Sequence, residues 1–539
     1  MNYPHWDVPI IGSGLVIALI AVFHVFISHF AVGGGLYLPV MEWSARRRGR
    51  EDWLVVLRQH TKFFLILTSV FGAVTGVAIW FSVGLGSPEG ASTLIRYWVF
   101  AWAMEWGVFV MELTAIAVYY YLWDRVDGRT HLRIGWFYAI TSWMTLAIIN
   151  GILGFMLTPT NAWLSAVGTG QEANVWWHAF FNATYWPSLF ARMCIMATLA
   201  GIFALITASR MSDDQLDLKA EIIAWSRRWL LPGFVLFPLC MLWYFAALPP
   251  LSQEHMRAGI STIAPNAFPA PTRMIVAIFV SSFLTVIVAY VATDRMNTRS
   301  FKLGAALGIA FCAYITIGAA EMCREMARKP FVIYGYQYSN GTRPVDVDYH
   351  NQVGYTANTV LASPEERARW QQGYADPYLG ELMLRGQCIT CHTTDGYRSL
   401  KKLMAGRNHD GIRDLLRILH EVPEDSPYKR YMPQLVGTPH EIEALAQTLA
   451  SLLGLPPEEP PSATPLTAPS DPTPPGPEPE ATVSDPSVAP VADAATPGSG
   501  PLVEPYPPQL VLPPGTPIAP QPVQVPPVDA TPVAPPAAY

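Results

Sequence analysis

Charge is what this sequence has least of. Only 14% of its 539 residues are Asp, Glu, Lys or Arg, against about 25% in a typical soluble domain. The shortage is uneven: charges thin out before about residue 320 and return after it, so the first part reads as membrane and the rest as soluble. The net charge of −6 is modest and no long basic run occurs, which excludes nucleic acid as a partner. Cysteine is scarce too. Six in a chain of this length exclude a disulfide framework. Four of them, Cys194, Cys240, Cys312 and Cys323, fall in or beside apolar segments and read as small buried hydrophobes. A cleavable leader is not expected either: the first apolar stretch lacks a basic start, is too long, and runs into a strongly basic loop.

What the chain has in abundance is long apolar runs. Eight are long enough to cross a hydrocarbon core, near 10–40, 63–86, 97–123, 134–157, 178–208, 229–248, 274–292 and 303–322. Such a core is about 30 Å thick and takes about 20 helical residues. The connections set an orientation. The loop after the first run, EWSARRRGREDWLVVLRQHTK, holds six Lys or Arg, and the loops after runs three, five and seven are basic as well. The alternate connections carry almost none. By the positive-inside rule the basic loops are cytoplasmic, so the N-terminus and everything after the eighth run are expected on the outer side. The expected fold is all-α and polytopic, with eight transmembrane helices in residues 1–335, a linker at 336–364 and a small helical domain at 365–455.

In that outer domain residues 385–392 read RGQCITCH. Two thiols three apart, followed at once by histidine, suit covalent attachment of a c-type haem: Cys388 and Cys391 form thioethers and His392 binds iron. A redox pair or half a zinc site would use a bare CxxC. The adjoining His and the lack of a second CxxC argue against both. The sixth iron ligand is expected from YKRYMPQLVGTPHEIEALAQTLASLLG, a Met-Pro before a loop and an amphipathic helix, which resembles small class I cytochromes c. Met432 is the choice, with His409, His420 and His440 as competitors. From 456 to 539 the chain is a Pro, Ala, Thr and Val tract without apolar periodicity, expected to be disordered.

Ionisable residues inside a span are costly and therefore functional candidates. The first run carries His24 and His29, the third Glu105 and Glu112, the fifth His178 and Arg192. Arg273 and Met274 open the seventh, and Glu321, Glu325 and Arg328 close the eighth. With the expected orientation, His178, Met274 and Glu325 lie near the outer surface and Glu105 and His24 somewhat deeper. That shared depth, on the side of the c-type haem, points to redox cofactors. Plainer readings stand beside these: helix packing for His29 and Met274, a hydrogen bond to a neighbouring helix for Glu112, and interface anchoring for Trp176 and Trp177.

Across 10–335 these residues resemble subunit I of cytochrome bd-type quinol oxidases. VFHVFISHFAVGGGLYLPVMEW is similar to the family's first span, which makes His24 a haem ligand. HTKFFLILTSVFGAVTGVAIWFSVGLG is similar to its second, and WAMEWGVFVMELTAIAVYYYLWDRV to its third, whose two glutamates (here Glu105 and Glu112) line a proton and cofactor region. VWWHAFF offers His178 for a low-spin haem b, with Met274 opposite. EMARKPF resembles the Glu-x-x-Arg-Gln-Pro-Trp signature, with Glu325 ligating a high-spin haem and Arg328 beside it. The resemblance implies two four-helix bundles, two or more haems b, haem d as an option, a second membrane subunit, and residence in a bacterial cytoplasmic membrane. Departures accompany it. Met274 follows Arg273 directly, where the family has a residue between. The connection PPLSQEHMRAGISTIAPNAFPAPT replaces a long quinol-binding loop. The third-span glutamates are one residue closer, and a cytochrome c domain stands where a ninth span would be.

The expected function is the catalytic subunit of a terminal oxidase with a fused haem c, reducing oxygen with electrons from quinol or cytochrome c. Glu105 and Glu112 would carry protons. A quinol dehydrogenase feeding a soluble carrier, and an electron-relay subunit of a larger complex, are the rival expectations.

Overall fold

A computed structural model describes residues 6–261, 270–293, 301–371, 378–424, 426, 428–429 and 431–458. The chain divides into a unit of residues 1–461 and a remainder, 462–539. The proline-rich tail from 459 onward lies outside the described residues.

Among the described residues seven helices are long and apolar enough to cross a membrane. They are α1 (Ser13–Arg47), α2 (Glu51–Gly86), α3 (Pro88–Tyr121), α4 (Gly128–Leu157) and α5 (Tyr185–Ser209), then, beyond the short α6 (Phe237–Ala246), α7 (Ala270–Ala292) and α8 (Leu303–Arg328). Most run beyond the apolar stretches seen in the sequence, because capping and charged turns extend them. Asp127 caps α4 by accepting from the amides of Arg129 and Thr130 at 3.0 and 3.1 Å. α2 contains a π-helical turn at Leu67–Gly72, and α3 is kinked at Trp98.

Two expectations change. The sixth span is no single helix: Pro232 and Pro238 break it into Leu231–Val235 and α6, since proline lacks an amide to donate. The Ile10 carbonyl, just before α1, accepts from the Tyr397 amide of the domain after α8 at 2.8 Å. Both ends of the membrane part therefore lie at one end of the bundle, which takes an even number of crossings and counts the broken segment among them. The fifth span also starts later than expected. His178 sits on a separate short helix, Trp176–Phe180, and buried Asn182 turns the chain by donating to the carbonyls of Gly151, Ala179 and Phe180 at 3.1–3.3 Å before α5 begins.

α1 is the hub. Its Gly33-Gly34-Gly35 run is where three helices press on it: a Cβ would lie 1.9 Å from the Met196 carbonyl oxygen of α5, 2.2 Å from the Phe64 ring of α2 and 3.1 Å from the Tyr138 ring of α4. Small residues permit such close crossings in a bilayer. α1–α4 form one group, and α5–α8 pack as a second against α1. The outward faces are apolar, with Val77, Phe100 and Phe279 exposed by 69, 74 and 69%. That surface suits lipid and not water.

After α8 a short hairpin, β1 (Phe331–Ile333) against β2 (Gln337–Tyr338), leads into a small helical domain. Its main helices are α9 (Leu379–Leu384), α10 (His409–Glu421) and α11 (Pro439–Leu452). α9 crosses α11 at Gly380, where a Cβ would meet Thr448 Oγ1 at 2.0 Å. Met383, Ile412, Leu416, Val436, Leu445 and Leu449 fill the core. The segment 336–364 is built into this structure, because Glu441 of α11, fully buried, accepts from the amides of Tyr355 and Thr356 at 3.0 and 2.8 Å.

Candidate functional site

The CxxCH segment folds into a compact turn. The amides of Cys391 and His392 reach the Cys388 carbonyl at 3.1 and 3.0 Å, so the thiols share one face of a single turn following α9. His392 Nδ1 donates to the Arg398 carbonyl at 3.0 Å, which leaves Nε2 as a lone pair for iron. Burial lowers the pKa of His392 and favours the neutral, ligating imidazole. Burial pushes the Cys388 thiol up to about 12, whereas a redox-active CxxC relies on a low thiol pKa.

Met432 lies half-buried at the end of a turn closed by its amide on the Tyr428 carbonyl at 2.9 Å. Two competing histidines hold backbone: His420 Nδ1 donates to Leu435 O at 2.9 Å and His409 Nε2 to Pro456 O at 3.0 Å. His440 is exposed in the first turn of α11. Beside Met432, the Tyr431 ring stacks on His255 at 5.2 Å; His255 belongs to the helix Pro250–Ser261 between α6 and α7.

In the membrane part, His24 has the same ligand-like arrangement as His392. Its Nδ1 lies 3.0 Å from Thr75 Oγ1, whose own proton goes to the Phe71 carbonyl at 2.6 Å. The hydroxyl therefore accepts from Nδ1–H and leaves Nε2 free to ligate. His29 differs. Its Nδ1 donates to Val25 O at 2.7 Å, and its Nε2 receives Arg192 Nη1 at 3.4 Å.

That contact begins a polar chain the sequence did not foretell as a unit. Arg192 Nη2 reaches Glu321 at 3.4 Å, and Arg324 Nε reaches the other Glu321 oxygen at 2.8 Å. Glu325 is held by Arg328 at 2.6 Å and by Lys329 at 3.4 Å, and Arg328 also donates to the Val332 carbonyl at 2.7 Å. Four cations face two carboxylates in this set. Arg324 Nη1 and Arg328 Nε are buried without an acceptor. A surplus of two positive charges with unmet donors is what the two propionates of a haem would complement, so the residues present fit that group. His178 and Met274 stand apart from this network among the described residues: His178 is exposed, and Met274 is half-buried on α7 after exposed Arg273.

A second polar column lies between α1, α3 and α4. Glu105, Glu112 and Tyr119 follow one another at intervals of seven on α3 and so share a face. Glu112 is buried and accepts from Ser142 Oγ of α4 at 2.7 Å; Glu105 is half-buried. At the end of the column, away from the Ile10 end, Glu42 is fully buried. It accepts from Tyr119 Oη at 2.7 Å and Arg46 Nε at 2.7 Å, and lies 2.8 Å from His131 Nδ1. His131 Nε2 must donate, because its 2.9 Å partner is the Tyr119 carbonyl. One further proton is thus shared between His131 Nδ1 and Glu42. Sequence reasoning missed this pair because both residues fall in stretches read as basic loops.

The sequence family described as cytochrome bd terminal oxidase subunit I matches residues 13–235. No curated protein matches the chain. Among solved structures the chain is similar to a bd oxidase chain from Geobacillus thermodenitrificans, with 19% identity, 62% of this chain and 90% of that chain covered, and a TM-score of 0.47. The family match runs from α1 through α5 to the broken segment before α6. Over residues 13–235 the chain is thus similar to subunit I of cytochrome bd terminal oxidases.

Proposed function

We propose that the chain is the catalytic subunit of a terminal oxidase that takes electrons through its own haem c and delivers them to haems in the helix bundle, where oxygen is reduced. The observation that carries this reading is the meeting of α8 and the attachment motif at one end of the bundle. There Glu325, Arg328 and Lys329 end the last membrane helix, and Asn340 Nδ2 donates to Gln387 Oε1 at 3.2 Å, one residue before Cys388. Haem at these sites supplies one-electron chemistry and an iron position for oxygen.

The chain's own residues do the rest. His392 and Met432 would hold the iron of a haem c, and Cys388 and Cys391 would tether it. His24 and Glu325 offer ligands in the bundle, with His178 and Met274 as a further pair nearer the surface. Arg192, Arg324 and Arg328 neutralise carboxylates there. Protons travel in the opposite sense, from the shared proton of Glu42 and His131 along Tyr119, Ser142, Glu112 and Glu105. Intramembrane carboxylates are suited to such a relay.

In this reading the protein resides in a bacterial cytoplasmic membrane with its N-terminus and haem c domain outside. It carries haem b, with haem d as an option, and pairs with a second membrane subunit. The helix Pro250–Ser261 meets the domain after α8 where His255 stacks on Tyr431, and a cytochrome c-side donor is part of this reading.

The test is to reduce the purified protein without air, mix it with oxygen and follow the haem spectra. Oxidation of b-type signals within milliseconds, with haem c following, supports the reading. Loss of that oxidation in His24→Ala and Glu325→Ala would tie it to these residues. Haems that stay reduced for seconds would overturn it and leave a quinol-driven reductase or a relay subunit.

A further inference from the structure

Lys329 is the first residue past α8 and stands between the two candidate haem sites. Its ammonium lies 3.4 Å from Glu325 Oε1 and 3.1 Å from Ser339 Oγ. Ser339 sends its own proton to the Pro330 carbonyl at 2.9 Å, so its hydroxyl presents a lone pair to Lys329 and fixes the ammonium there. The next residue, Asn340, holds Gln387 of the haem c motif. Ser339 and Asn340 also line one small cavity, of about 20 Å³, together with Gly386 and Thr390, the residue before Cys391. The charge is little exposed, with the Lys329 side chain 19% accessible, so solvent screens it only in part.

We propose that Lys329, fixed between the membrane site at Glu325 and the CxxCH segment, raises the reduction potential of the haem c held at His392. The proposal rests on the reading that Cys388 and Cys391 carry a haem. The direction follows from charge. A fixed cation near an iron opposes the extra positive charge of the oxidised state and so favours the reduced one.

The experiment is a redox titration of the haem c absorbance in the full-length protein in detergent. Lys329→Gln should lower the ratio of reduced to oxidised haem c at a fixed poise about tenfold, the order of effect that a unit charge has over about 10 Å at an effective dielectric of about 20. That corresponds to 59 mV for a one-electron couple. Lys329→Arg, which keeps the charge, should titrate like the parent protein. An unchanged haem c midpoint in Lys329→Gln, with covalent haem and b-type spectrum intact, would overturn the proposal. Should that variant lose its haems, Ser339→Ala decides: releasing the ammonium lowers the midpoint if the proposal holds and leaves it unmoved if not. Absence of covalent haem in the parent chain, seen on a haem-stained denaturing gel, would instead refute the underlying haem c reading.

Discussion

Glu441→Ala is the sharpest test of how the haem c domain is held together. The carboxylate is fully buried and accepts from three amides, those of Tyr355, Thr356 and Thr438 at 3.0, 2.8 and 2.8 Å, and from the Thr356 hydroxyl. It also closes a capping box with Thr438 at the start of α11. A hydrogen bond to a charged acceptor contributes about 1.5–3 kcal/mol, and a buried donor left unmet costs about 1–3 kcal/mol. Thr438 is half-buried and regains water. Tyr355 and Thr356 are buried and do not. Two orphaned amides, an orphaned hydroxyl and a weakened cap together give a loss of about 3–5 kcal/mol. That is a large share of the roughly 5–15 kcal/mol that stabilises a domain. The assay is guanidinium unfolding of the full protein followed through the haem c absorbance, comparing midpoints at unchanged slope. Glu441→Gln keeps one accepting oxygen and should fall in between. A midpoint for Glu441→Ala that implies less than about 1 kcal/mol would refute this account of the domain.

Three further outcomes are expected. Replacing both Cys388 and Cys391 by Ala should remove covalent haem on a denaturing gel while leaving the b-type spectrum in place. Glu112→Gln should slow oxygen consumption by about 10- to 100-fold with haem content unchanged, and Ser142→Ala by less, since it removes only a positioning hydrogen bond; equal rates would exclude the column as a proton route. Glu443 is held below the ordinary carboxylate range chiefly by its hydrogen bonds to Arg413, at 2.8 and 3.0 Å. Because its folded pKa is depressed, this tie between α10 and α11 contributes fully above about pH 4.3 and is lost as pH falls through the lower folded value. Arg413→Gln should therefore flatten the acid side of the domain's stability profile, by no more than about 1 kcal/mol for so exposed a pair.

The membrane helices were legible because length and apolarity are linear properties: a run of 20 apolar residues announces itself. The CxxCH motif can be read from the sequence because its chemistry is local, three residues within five positions. Other features needed the third dimension. Glu42 and His131 sit in strongly charged stretches and look like loop residues until α1, α3 and α4 extend past their apolar runs and bring them to 2.8 Å. The stretch 336–364 has no apolar period and reads as a linker, yet Glu441, some 85 residues away, gives its amides their acceptors. His178 looked like the first residue of a span because nothing in VWWHAFF marks the turn that Asn182, just beyond it, makes by donating to the carbonyls of Gly151, Ala179 and Phe180. The sixth span looked continuous because hydropathy does not register that Pro232 and Pro238 each remove a helical hydrogen bond.

The two ends of the bundle differ in how their charges are satisfied, and the difference argues for the direction of chemistry. At the end away from Ile10, Glu42 has three partners and His131 has both ring nitrogens engaged, so that cluster is complete in itself and needs only to exchange one proton. At the end where α8 meets the haem c domain, Arg324 and Arg328 keep buried nitrogens without acceptors, and cations exceed carboxylates by two. An uncompensated buried charge is among the costliest features a fold can keep. Its retention makes sense when an anionic group completes the set, and a haem carries two carboxylates. A completed proton-sharing pair at one end, and buried cations that call for an anionic partner at the other, give the bundle a built-in polarity.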